Sequence, residues 1–133
     1  MRLFTVLVCL CFFSCSKNKD EEKPIITISS PVSLQQVNGG DELTIVGVIT
    51  DNQQIERVTI TLRDKNNTIV LATIIKTPQP SEAQNFQLNI PYLFNDLQLV
   101  SGQYDFNVTA FDGENTATVY IPIRYQEYEK KRE

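Results

Sequence analysis

Residues 43–50, LTIVGVIT, alternate at period two. Leu43, Ile45, Gly47 and Ile49 fall on one side of an extended chain, and Thr44, Val46, Val48 and Thr50 on the other. Successive side chains of a strand point to opposite faces, so this pattern suits a sheet with one buried side and gives no apolar stripe on a helix. The pattern recurs. Ile26 and Ile28 open a first strand. Val58, Ile60 and Leu62 alternate with Arg57, Thr59, Thr61 and Arg63. Phe86, Leu88 and Ile90 make another, and Tyr104, Phe106, Val108 and Ala110 lead into Ala117, Val119, Ile121 and Ile123 across Asp112-Gly113-Glu114-Asn115. Residues 68–76 are a nearly continuous β-branched run whose buried side periodicity cannot reveal. Between the runs lie turn formers: Ser29-Ser30-Pro31, Asn38-Gly39-Gly40-Asp41, Asp51-Asn52, Asp64-Lys65-Asn66-Asn67 and Thr77-Pro78-Gln79-Pro80-Ser81. About seven strands at this spacing predict an all-β, antiparallel β-sandwich, preferred to a small closed barrel. Only 91–99 reads as irregular, with Leu93, Phe94 and Leu97 placed for one helical turn over the core.

Two stretches resemble immunoglobulin-like domains. GGDELTIVGVITDNQQIERVTITL (39–62) is similar to the opening of bacterial Ig-like and fibronectin-like modules, and SGQYDFNVTAFDGENTATVYI (101–121) to their close. The resemblance implies that Tyr104 is the tyrosine corner. It also implies that Phe106 stands where antibody domains carry a cysteine, with packing in place of a disulfide. It covers about residues 24–125 and speaks to fold rather than to function, because one sandwich hosts many roles.

The three cysteines, Cys9, Cys11 and Cys15, all precede that region. A closed zinc site needs four ligands, and the chain has no histidine and no later cysteine. A disulfide framework fails for the same lack of partners. Arg2 followed by the apolar run Leu3 to Phe13, about 11 residues, has signal-peptide length and is too short to span a bilayer. Phe12-Phe13-Ser14-Cys15 resembles the lipobox of bacterial lipoproteins, with Phe12 in place of the usual Leu. Ser16-Lys17-Asn18-Lys19-Asp20-Glu21-Glu22 looks like the acidic export tag of surface-displayed Bacteroidetes lipoproteins, and is equally a solvated linker. The resemblance implies cleavage after Ser14, lipidation of Cys15, and an outer-membrane, surface-exposed address. One acyl chain binds a membrane marginally and two or more nearly permanently. The expected organisation is a signal peptide over 1–14, a lipidated flexible acidic tether over 15–23, a sandwich over 24–125 and a charged tail over 126–133.

Charge and chemistry narrow the function. The net charge of -4 becomes -5 if Arg2 leaves with the leader, and the one basic cluster, Lys130-Lys131-Arg132, is flanked by acids. A nucleic-acid partner is therefore not expected. Without histidine there is no Ser–His or Cys–His nucleophile, and no enzyme is expected. No cofactor is expected beyond the covalent lipid. In an Ig-like fold the Asp51-Asn52 turn and the Asp112, Glu114 hairpin share one end, so four residues could offer oxygen ligands to calcium. Ordinary turn chemistry accounts for the same residues and is the preferred reading. Tyr92, Phe94, Tyr125 and Tyr128 are the aromatics off clear core positions. Tyr92 or Tyr125 standing flat in solvent would mark a glycan site, whereas Phe94 reads as a core plug and Tyr128 as tail. Thr44, Val46 and Val48, and likewise Ile69, Leu71 and Thr73, are apolar for outward positions. That points either to protein contact or to a shifted register. The resulting expectation is a non-catalytic binding or structural module, anchored through its lipid and meeting another surface protein or a glycan. Residues 16–23 reach at most about 28 Å at ~3.5 Å each. The Asp51 and Asp112 loops should then face the membrane, and the loops near 37–41 and 65–67, with 91–99, should face away.

Overall fold

The computed structural model of the chain describes residues 18–95 and 98–128. The leader, Ser14, Cys15, Leu97 and the Lys130-Lys131-Arg132 cluster lie outside them. Among the described residues eight strands form: β1 (Ile25–Ser30), β2 (Gln35–Asn38), β3 (Glu42–Thr50), β4 (Arg57–Arg63), β5 (Ile74–Lys76), β6 (Asn85–Leu93), β7 (Gly102–Phe111) and β8 (Thr116–Gln126). One 3₁₀ turn, Pro80–Glu82, lies in the proline-rich loop. The strands make two sheets, one ordered β1-β3-β6 and the other β2-β8-β7-β4-β5. This is a β-sandwich, and its two inner faces bury the alternating residues named above. Ile45, Ile49, Val58, Phe106, Val108 and Ile123 have no exposed surface. Among the described residues no helix is long and apolar enough to cross a membrane.

The added strand is β2. Its four residues carry a single apolar side chain, Val37, too little for an alternation to register. β2 continues in the direction of β1 after the chain crosses between sheets. β8 runs the same way, so the β2–β8 pair is parallel in an otherwise antiparallel fold.

Two further expectations change. The run 68–76 is not one strand. Asp64 Oδ1 accepts the backbone amides of Asn66 and Thr68, both at 2.9 Å, and Asn67 has φ 63°. That turn leaves only the isolated bridge Arg63–Ile69, the bond from Val70 N to Leu62 O, and three residues of β5 against β4. β-branched propensity describes a residue that suits a pleated surface and does not supply a partner. Pro91 to Leu93, read as irregular, instead complete β6, with Pro91 opposite Thr44. β6 is an edge of its sheet, where a missing N–H is tolerated. Phe94 is buried beyond the strand end, 1% exposed.

Tyr104 donates from its hydroxyl to the Val100 carbonyl four residues upstream, at 2.8 Å. That is the geometry of a tyrosine corner. Phe106 sits in an aromatic cluster, edge-on to Tyr92 at 5.4 Å and to Phe94 at 6.2 Å between ring centroids. Such pairs add about 0.5–1.5 kcal/mol each beyond burial.

Candidate functional site

The strand directions separate two ends. One gathers the entry of the chain into β1, the β3–β4 loop and the β7–β8 hairpin. The other gathers the turn before β3, the segment after β6 and the exit of β8.

At the entry end, oxygens of Asp20, Asp51 and Asp112 lie within 4.8 Å of one another. Turn chemistry builds the set. Asp112 Oδ1 accepts the amides of Glu114 (2.7 Å) and Asn115 (2.5 Å), and its Oδ2 accepts Asn115 Nδ2. Asp51 Oδ2 accepts the amide of Gln53. Asp20 Oδ1 accepts the Glu22 amide and Asn52 Nδ2. Every one of these donors is a neutral amide. Asp51 Oδ1 is shielded from solvent and has no hydrogen-bond partner among the described residues. Burial pushes the Asp112 carboxyl up, but the backbone amides of Asn115 and Glu114 and the Asn115 side chain together outweigh it. They hold the group below the ordinary carboxylate value. A small polar opening of about 190 Å³ adjoins Asp20, Asp112 and Glu114. Carboxylate and amide oxygens of this kind suit a hard cation such as calcium.

Of the residues singled out in the sequence, Asp51, Asn52 and Asp112 meet here. Glu114 takes a different part. Its Oε2 accepts the backbone N–H of Asp20 at 2.9 Å. Asn115 Nδ2 donates to the carbonyls of Asp20 and Glu22. The segment read as a flexible tether is therefore docked from Asp20 onward, and Asp20 is only 6% exposed. Asp20 was not among the candidate ligands, because nothing local distinguishes it from Glu21 and Glu22. The signal was indirect: a chain that enters an Ig-like sandwich at this end must pass its acidic turns.

At the far end a cleft of about 530 Å³ is lined by Gly39, Gly40, Asp41, Phe94, Asn95, Leu99, Tyr125, Glu127 and Tyr128. Phe94 and Tyr125 stack in its floor, with centroids 5.7 Å apart and planes 25° apart. The turn before β3 forms one wall. Gly40 has φ +88°, which favours glycine, and its N–H donates to the Phe94 carbonyl. At Gly39 a Cβ would meet Tyr125 Oη and Tyr128 N, both at 2.9 Å. The two charged residues of the lining are acids, Asp41 and Glu127.

The aromatic expectation is corrected here. Tyr125 is 5% exposed and Tyr92 is half-buried, edge-on to Phe94 at 5.1 Å. Neither stands flat in solvent, because β6 and β8 carry both rings over the end of the core. Phe94 and Tyr125 still reach the cleft, from beneath. The exposed ring is Tyr128, read from sequence as tail and 76% exposed.

No protein-family model and no curated protein sequence matches the chain. Solved structures do. The chain is similar to fibronectin(III)-like modules of CbhA from Clostridium thermocellum. There the identity is 14%, the TM-score 0.52, and the match covers 77% of this chain and 96% of that one. It is also similar to an engineered protein, at 18% identity and TM-score 0.52 over 77% of this chain. The match spans only 20% of that protein's length. At these identities the likeness concerns the fold, which is an immunoglobulin-like, fibronectin-like sandwich.

Proposed function

We propose that this chain is a non-catalytic binding module held on the outer face of the outer membrane by lipid on Cys15, and that it meets its ligand at the opposite end of the sandwich. The observation that carries this reading is the placement of the two ends. Asp20 is docked beside the acidic loops, and the aromatic-floored cleft opens where β8 leaves the domain. The five residue steps from Cys15 to Asp20 span at most about 18 Å at ~3.5 Å each. The acidic end then lies close to the membrane and the cleft faces outward. The exposed Tyr128 ring offers apolar surface for the C–H face of a sugar, over a floor in which Phe94 and Leu99 are buried. Asp41, Asn95 and Glu127 offer acceptors for its hydroxyls. A neutral glycan is the ligand class these groups suit.

The test uses the full chain in cells. Palmitate label is expected on the wild type and absent from Cys15→Ala, and surface protease is expected to remove the domain only when it is anchored. On a glycan array, Tyr128→Ala is expected to lose about tenfold or more in affinity, the worth of roughly 1.4 kcal/mol of ring contact. An unlabelled wild type would end the anchored reading. Glycan binding that is absent, or indifferent to Tyr128, would end the assignment of the cleft.

A second reading concerns calcium, and the unpartnered Asp51 Oδ1 among three close carboxylates favours it. A bound cation would screen the mutual repulsion and tie Asp20 of the entering chain to two loops of the sandwich. Calcium at millimolar concentration is expected to raise the melting temperature, and chelator to reverse the change. Asp51→Asn is expected to melt higher than wild type in chelator and to gain nothing from calcium. Identical wild-type melts with and without calcium would dispose of the idea.

A further inference from the structure

The arginines of this chain are gathered on one side. Among the described residues there are three, Arg57, Arg63 and Arg124, and all take outward positions on the five-stranded sheet. Val58, Ile60 and Leu62 of β4 and Ile121, Ile123 and Tyr125 of β8 are buried, so the residues alternating with them face out. The one carboxylate on these outward rows is Asp105, opposite Arg63. Three arginines against one aspartate leave the face at +2 in a chain of net charge -4, so everything else sums to -6. Arg57 lies over the Phe111 ring, 5.3 Å from its centroid, and Arg63 Nη1 donates to the Asn67 carbonyl at 2.7 Å. A ring and a neutral carbonyl orient the guanidinium groups without cancelling their charge. Register sets an aromatic between the cations. Along β8, Thr116 is level with Phe111 and Arg57, Tyr120 with Asn107, and Arg124 with Gln103. Tyr120 is 67% exposed and stands midway, about 13 Å from either outer row. Beside it Thr109 Oγ1 and Thr118 Oγ1 lie 3.0 Å apart at the surface.

From this we infer that the outer face of the β2-β8-β7-β4-β5 sheet is a docking surface for an acidic polysaccharide, a polymer of uronic acid sugars. Charge selects the sign of the partner. An acidic chain repels a polyanion except where its cations are gathered, and there the planar arginine fork pairs with a carboxylate through two hydrogen bonds. The groups between the cations select the polymer. The Tyr120 ring gives the C–H face of a sugar an apolar plate, and the hydroxyls of Thr109 and Thr118 and the exposed Gln103 exchange hydrogen bonds with its hydroxyls. From the Arg57 row to the Arg124 row the face runs about 27 Å, with cations at both ends and the ring between. That order fits an extended chain bearing carboxylates at intervals. An acidic peptide would use the arginines alone, because a row of threonines on a flat sheet makes no desolvated pocket for an anchoring side chain. The cleft cannot serve the same polymer, since its two charged lining residues are Asp41 and Glu127. The inference therefore stands apart from the reading of the cleft and from the lipid anchor.

Affinity electrophoresis of the full chain tests this, in native gels cast with polygalacturonate, alginate or hyaluronate and with neutral dextran as the control. Retardation by at least one of the three polyuronates is expected at low salt, none by dextran, and the effect should fade as salt rises. Arg124→Glu and Tyr120→Ala, both at exposed positions, are each expected to weaken the affinity about tenfold or more. Tyr128→Ala, at the rim of the cleft, is expected to leave it unchanged. Circular dichroism checks that the variants fold, and Arg57→Gln replaces either one that does not. No retardation by any polyuronate, equal retardation by dextran, or an affinity unmoved by the folded face variants would each overturn the inference. So would polyglutamate competing as well as the polysaccharide, which would give the face to an acidic protein. Binding confined to phosphatidylglycerol vesicles would overturn it too, and give the face to a membrane. None of these readouts depends on acylation of Cys15.

Discussion

At the level of single residues, the acidic end shows how one side chain serves as both turn former and charge. Asp112 is 6% exposed and satisfies two backbone amides and one side-chain amide of its own hairpin. Its carboxyl is held below the ordinary value. Above the unfolded-state value, near 4, both states are ionised and the stabilisation is fully present. As pH falls through that value and then through the lower folded one, the native protein must take up a proton at Asp112 and the contribution is lost. Unfolding by denaturant is therefore expected to become easier as pH drops from about 5 toward 3. Asp112→Asn is expected to flatten this dependence, and a variant curve parallel to the wild type would refute the assignment. The hairpin was legible in the sequence, since Asp-Gly-Glu-Asn between two alternating runs has few other uses. The Asp20 contact was not, because a residue in a run of three acids gains its role only from what the fold sets beside it.

At the level of elements, alternation named the buried face of six strands and failed where a strand has little to alternate. β2 has one apolar residue, and β5 is a three-residue remnant of a nine-residue run. Gly47 shows the opposite case, a residue whose meaning depends on its neighbour. It stands in the apolar row of β3, where glycine weakens a strand. β1 crosses it at the irregularity between Ile28 and Ser30, and a Cβ on Gly47 would collide with the Thr27 carbonyl oxygen and meet the Ile28 side chain at 2.8 Å. Gly47→Ala is expected to cost about 1–3 kcal/mol as overpacking against backbone. At about 4–8 °C per kcal/mol for a domain near this size, the melting midpoint should drop measurably. A thermal scan showing no change would mean that β1 yields freely at that point.

At the level of the whole molecule, the sequence by itself determined the class of fold. The period of two, the turn residues between runs, Tyr104 near the start of the penultimate strand and the absence of any helical stripe all follow from local chain geometry and local burial. It also excluded histidine-dependent chemistry, which is a matter of composition. Tertiary structure alone decided which residues of distant segments meet. Asp20 is joined to Glu114, 94 positions away. The floor of the cleft is made by Phe94 and Tyr125 from different strand ends, with Tyr128 at its rim. The outward rows of β1, β3 and β6 become one surface only when three strands align. Periodicity reports which way a side chain points. What stands opposite it depends on strand order and register, and these are set by the packing of all the strands at once.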